Sequence, residues 1–282
     1  MKYMVRFLKV IGFIALYMAL YIVVQVAAGM VFAAVYTVRQ LLSGHEQTDS
    51  TSLIKGSEAF LTDYTPIILI IAVIMTFSVY YLIGYLRKQS VFSTCGFKKI
   101  SFSKAIITAL VGISCNFLIG LLIAIIQQLG FLESALTNHD ELMNTIMGSS
   151  FFILVLLDVG ILGPVFEEVL FRGLVYNELK GIMPVIPAIL VQAFLFGAYH
   201  MNIIQGIYGF LLGIVLGLVC VWSKSIWASI IVHMSINTSS AILSRLGDTQ
   251  FFNNYGGIIM LASIFIAVYG MAYLWRSRLP AA

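Results

Sequence analysis

An all-α, polytopic membrane bundle is the fold class that this sequence predicts, and three observations carry the prediction. Hydrophobic residues make up 61% of the 282 residues and charged residues 10%, with a mean hydropathy of +1.01, a balance that belongs to chains whose solvent is lipid. The apolar residues gather into runs long enough to cross roughly 30 Å of hydrocarbon. The loops between those runs alternate in sign. The net charge of +4 is distributed by membrane side rather than collected in one patch, so nucleic acid is not a partner that this pattern suggests.

Taken in order, the runs give about eight transmembrane helices, at 10–38, 65–86, 105–129, 151–179, 185–201, 205–223, 226–245 and 255–275. The basic start, Met1 to Lys9, resembles a signal peptide, but its apolar run continues to Val38 and reads as a retained first span. The connection 39–63 holds His45, Glu46, Asp49, Glu58 and Asp63, whereas 87–104 holds Arg87, Lys88, Lys98, Lys99 and Lys104. With the N-terminus inside, the inner side collects those five together with Lys2, Arg6, Lys9, Lys180, Lys224, Arg276 and Arg278, against Arg39, Lys55 and Arg245 outside. Both termini are therefore expected in the cytoplasm, in an integral protein of the cell membrane. Tyr64, Trp222, Trp227, Tyr255 and Trp275 fall near span ends, as interface anchors do. The segment 131–150, with Glu133, His139, Asp140 and Glu141, reads as an outer surface loop in preference to a short amphipathic helix. No repeat or linker divides the chain, so one membrane domain over 1–282 is expected, with three N-terminal helices preceding a chemistry-bearing core at about 150–245. Cys95, Cys115 and Cys220 form no close-spaced pair and receive no role.

The core opens with GPVFEEVLFRG, Gly163 to Gly173. Three ionisable groups in an apolar run, each costing about 2.5–3.5 kcal/mol at a helix centre, mark a site rather than a scaffold. On a helix Glu168 and Arg172 stand four residues apart and can pair, while Glu167 points about 100° away and stays free. His200 closes the run AFLFGAYH, one turn after Phe196, and His233 precedes Asn237 by one turn in HMSIN. A carboxylate in a poorly solvated pocket suits a general base, a neighbouring imidazole can orient the water, and a second imidazole with an amide supplies oxyanion donors. Together they read as water-activating hydrolysis of a carbonyl. One carboxylate and two imidazoles also suit zinc, so Glu167, His200 and His233 are the ligand set if a metal is present; the sequence leaves that open. GxSxG is absent, which disfavours a covalent serine mechanism. Phe196 reads as packing that shapes the pocket, Pro164 as a kink or a helix start, and Asn116 and Gln192 as interhelical hydrogen-bonders. Asp158 is an intramembrane carboxylate without an obvious partner, and Gly206, Gly209, Gly213 and Gly217 form a packing stripe.

The order Glu167-Glu168-x-x-x-Arg172, Phe196-x-x-x-His200 and His233-x-x-x-Asn237 across successive spans resembles the three motifs of the CAAX protease and bacteriocin-processing family, also called the Abi family. No motif position departs from the pattern, and the first 150 residues carry no part of the resemblance. It implies a glutamate-dependent or metal-dependent intramembrane endopeptidase in which Glu167 is the base, His200 helps to activate water, and His233 with Asn237 stabilises the oxyanion. Glu168 and Arg172 would be the orienting pair. The expected partners are membrane lipid, a peptide or protein substrate, and a regulatory membrane protein. The readings weighed against it are a non-catalytic scaffold or bacteriocin-immunity protein, and a proton-coupled transporter using Asp158, Glu167 and His200. The predicted topology is checked by cysteine labelling: Lys9→Cys and Lys99→Cys react with an impermeant reagent only in inverted vesicles and Lys55→Cys only in intact cells, and the opposite pattern contradicts it.

Overall fold

The computed structural model describes residues 1–43, 50–148, 151–246 and 250–278, and all regular structure there is helical. In chain order the helices are α1 (Lys2–Leu42), α2 (Ser50–Leu86), α3 (Val91–Cys95), α4 (Phe102–Leu129), α5 (Glu133–Met147), α6 (Phe152–Lys180), α7 (Val185–Tyr199), α8 (Ile203–Ser223), α9 (Ile226–Leu246) and α10 (Gln250–Arg276). His45, Glu46 and Asp49 lie outside the described residues. The boundaries have local causes. Ser90, Ser101, Asn202 and Ser225 accept backbone N–H groups at the starts of α3, α4, α8 and α9, and left-handed Gly96 and Gly130, both at φ 70°, end α3 and α4.

Among the described residues, α1, α2, α4, α8, α9 and α10 are each long and apolar enough to cross a bilayer, and α5 with α6 makes a seventh candidate. The difference from eight has two causes. The helix α6 carries the charged motif through its middle, and α7 has 15 residues, about 22 Å at 1.5 Å per residue, short of the hydrocarbon thickness.

The segment 131–150 departs from its reading as a surface loop, because Glu133–Met147 is a helix. Ala135, Leu136 and His139 form its buried stripe while Glu133, Asp140 and Glu141 are exposed. That 3–4 spacing lets α5 bury Ala135 and Leu136 with Ile126 of α4 and Ile204 of α8 in a small separate core. His139 is accordingly buried against the edge of Tyr208 rather than exposed in a loop.

The main core surrounds α6. Phe166, immediately before the two glutamates, meets Tyr21 of α1 at 4.3 Å and Phe77 and Tyr80 of α2 at 5.5 and 6.0 Å between ring centroids. Tyr80 donates its hydroxyl to the Tyr17 carbonyl at 2.6 Å and Tyr199 donates to Met18 at 3.1 Å, which fixes α1 in height against α2 and α7. The glycine stripe packs as its spacing suggests. Gly209 lies against Gly197 of α7, and a Cβ at Gly213 or Gly217 would overlap Ala193 or Gln192. On the far side α4 is wedged between α9 and α10, with Gly112 against the Val232 carbonyl and Gly270 against Val111.

Basic residues converge at one end of the bundle. Arg6 reaches Gly181, Arg87 pairs with Glu178, the Lys98 carbonyl accepts from Ser225, and Lys224 shares a cleft with Arg278. There Cys95 is pressed against Gly173, where a Cβ would overlap its sulfur. Burial pushes the Cys95 thiol up to about 12, so little reactive thiolate exists near neutrality. Native Cys95 is expected to react with a small maleimide at pH 8 at least about a hundredfold more slowly than an exposed cysteine, whose pKa lies near 8.5; equal rates contradict this packing.

Candidate active site

The helix α6 is not uniform. It takes wider i→i+5 turns over Asp158–Leu162 and again over Val169–Val175, on either side of Gly163–Glu168. The first has an identifiable cause. Pro164 has no N–H, which leaves the Gly160 carbonyl four residues earlier without its helical donor. Gly163 N–H bonds the Asp158 carbonyl, which in turn frees the carbonyl of Val159. Both orphans are taken by α9: Asn237 Nδ2 donates to Val159 O at 3.0 Å and Thr238 Oγ1 to Gly160 O at 3.2 Å. Gly160 permits this approach, since a Cβ there would overlap the Thr238 hydroxyl. Pro164 therefore follows a wide turn rather than opening a separate helix, and wide turns of this kind gather at functional sites.

The same stretch turns the adjacent carboxylates into two environments. Glu168 is fully buried and its Oε1 accepts from Arg172 Nη1 at 2.8 Å and from His233 Nδ1 at 3.0 Å. Arg172 donates its other arm to the Gly213 carbonyl at 3.2 Å, beside Gln192 at 2.9 Å, and lies 4.5 Å over the Phe196 ring. Phe196 is more than filler. Its ring also meets the edges of His200 and His233 at 5.0 and 5.7 Å and so joins the cation to both imidazoles. Glu167, by contrast, keeps 27% of its side chain accessible, with Oε2 3.5 Å from His233 Nε2.

The two histidines are held by different means. A carbonyl only accepts, so His200 Nδ1, 2.9 Å from Phe196 O, carries hydrogen and leaves Nε2 as the acceptor. Gly209 makes room for that ring. His233 likewise donates Nδ1 to Glu168 and turns Nε2 to Glu167. Counting residues inward from the ends of the spans puts His233 shallower than Glu167, about 10 Å against 20 Å. The structure removes the discrepancy because α9 does not start at the surface. Ile226 N–H bonds Gly96 O, next to Cys95, which lies on Gly173. From that shared level Glu167 is about 9 Å inward and His233 about 10 Å.

Glu167, Phe196, His200, His233 and Asn237 line one cavity of about 220 Å³, together with Tyr21, Asn116, Asp158, Gln205 and Tyr208. Glu168 and Arg172 stand behind it. Tyr21 and Tyr208 belong to no motif, and nothing in their neighbourhood of sequence signals a site; the topology alone brings α1 and α8 there. The walls include Leu69, Met143 and Ile146 of α2 and α5, so the segment before residue 150 completes the chamber. Among the described residues no three His, Cys, Asp or Glu side chains converge where a metal ion would be held.

Breaking the buried pair leaves the Glu168 carboxylate without its guanidinium, so Arg172→Met is expected to cost about 3–5 kcal/mol of stability, read by thermal or denaturant unfolding in detergent. A loss under about 0.5 kcal/mol, ordinary for surface changes, contradicts the pairing.

Residues 149–239 match the family model described as type II CAAX prenyl endopeptidase Rce1-like. That segment ends at Ser239 on α9 and contains every motif residue named above. No curated protein and no solved structure matches the chain.

Proposed function

We propose, from the premise that residues 149–239 carry an Rce1-like type II CAAX prenyl endopeptidase domain, that this chain is an endopeptidase that cuts membrane-associated peptides or protein C-termini inside its helix bundle. The observation that supports this best is the asymmetry of the glutamates, with Glu168 buried and paired with Arg172 and His233 while Glu167 opens on a chamber shared with His200.

In this reading water enters the chamber between Glu167 and His200. Glu167 takes one proton as the water oxygen bonds to the scissile carbonyl carbon, and His200 Nε2 accepts a hydrogen bond from that water and orients it. Glu168 and Phe196 fix the His233 ring from behind; the second amide N–H of Asn237 donates to the developing oxyanion, joined by His233 Nε2 when that ring carries a proton on both nitrogens. The first N–H of Asn237 is committed to Val159, which sets the direction of the second. As the C–N bond breaks, Glu167 returns its proton to the leaving nitrogen. The apolar walls around this polar floor suit a substrate delivered from lipid. We place the basic end of the bundle in the cytoplasm, by the positive-inside rule, and the chamber within the cell membrane.

The test is turnover of quenched fluorescent peptides, prenylated and unprenylated, by the purified protein in liposomes. Glu167→Gln and His200→Ala are each expected to lower kcat by about 10²–10⁴-fold with unchanged folding. Retention of wild-type turnover by Glu167→Gln contradicts the assignment. A chelator arm reads metal dependence separately.

A further inference from the structure

A second cavity, of about 470 Å³, lies at the basic end of the bundle and shares no residue with the active-site chamber. It forms because the chain leaving α2 folds back against α1 and α6 instead of running outward. Gly84 permits that return, since a Cβ there would overlap the Gln89 carbonyl and Val91, and Gln89 N–H closes the turn on Gly84 O at 2.9 Å.

The lining carries several side-chain donors. Arg87 donates to Tyr17 and to Glu178, and its guanidinium lies 3.8 Å over the Phe13 ring. Glu178, the cavity's one carboxylate, is thereby paired through Oε1. Tyr17 accepts from Arg87 at 2.6 Å, so its own O–H points elsewhere. Ser90 accepts the Ser93 N–H, which likewise leaves its hydroxyl hydrogen for another acceptor. Lys88 adds an exposed ammonium, and with Arg87 and Glu178 the lining carries one net positive charge.

Lys88 is also held in a costly backbone state. It sits at φ 54°, in the left-handed region where glycine is the default residue at a helix end. A lysine kept there by the fold places its charge at the cavity rim, and conformations of this kind gather at binding sites. Its basic residues, Arg87 and Lys88, follow directly on the end of α2 at Leu86, and the end of a spanning helix is where the headgroup region is met.

We propose that this cavity binds a phosphate-bearing anion through Arg87, Lys88, Tyr17, Ser90 and Ser93. The two sources of that chemistry are the headgroup of an anionic phospholipid and free phosphate. Binding clamps α1, the end of α2 and α6 together at Tyr17, Arg87 and Glu178, and so stabilises the fold. The site is independent of the protease reading and survives its failure.

The experiment is thermal unfolding of the delipidated protein in detergent with phosphatidylglycerol, phosphatidylcholine or inorganic phosphate, backed by native mass spectrometry of retained lipid. Phosphatidylglycerol is expected to raise the midpoint and remain bound where phosphatidylcholine does not; an equal response to inorganic phosphate identifies a soluble anion instead. Lys88→Gly is expected to raise the ligand-free midpoint, by relieving the left-handed strain, yet to weaken anion binding on the order of tenfold, as loss of one charge-assisted contact does. Lys99→Ala, the same loss of charge on the same connection but outside the cavity, is expected to bind as wild type. The inference is overturned if no anion is preferred over phosphatidylcholine, or if the Lys88 and Lys99 variants behave alike.

Discussion

The structure depends on the burial of Glu168. A carboxylate with no accessible surface inside an apolar bundle is tolerated only when its charge is met by a buried partner, and here one oxygen receives both Arg172 and His233. The demand propagates. Arg172 must in turn be satisfied, which recruits the Gly213 carbonyl from α8 and the face of Phe196 from α7. One buried anion thereby fixes α6, α7, α8 and α9 around a common point. The neighbouring Glu167, one residue earlier and about 100° around the helix, is left facing the chamber.

A second constraint is the accounting of backbone carbonyls around Pro164. A proline in the middle of a spanning helix, preceded by a wide turn, strands two backbone acceptors. Asn237 and Thr238 take them, which sets the height of α9 against α6 independently of the His233–Glu168 contact. The two attachments lie on opposite sides of Glu167 along α6, so that carboxylate is held between fixed points. The wide turns are hence part of how the site is placed.

Much of this was legible in the sequence because it is local. Glu168 and Arg172 pair at the helical spacing, the glycine run of α8 packs where its period of three and four says it should, and Gln192 bonds across to α8. What was not legible is what the topology supplies. Tyr21 reaches the chamber from α1, and no spacing rule links it to a motif far along the chain. The depth of His233 could not be counted from Ile226, because α9 is capped by the Gly96 carbonyl from a connection that dips into the bundle. The helix at Glu133–Met147 was hidden by its charges, which occupy the face away from Ala135, Leu136 and His139. The wide turns of α6 follow from Pro164 together with partners on α9, and only the first of these is local.

The division of labour between two adjacent glutamates is the claim on which the account rests, and stability separates them more directly than activity does. The decisive measurement is the unfolding free energy of Glu167→Gln and Glu168→Gln in one detergent. Glu167→Gln is predicted to stay within about 0.5 kcal/mol of wild type, and Glu168→Gln to lose about 3–5 kcal/mol because it leaves the Arg172 charge buried without its partner. Equal losses, or the reverse order, would contradict it.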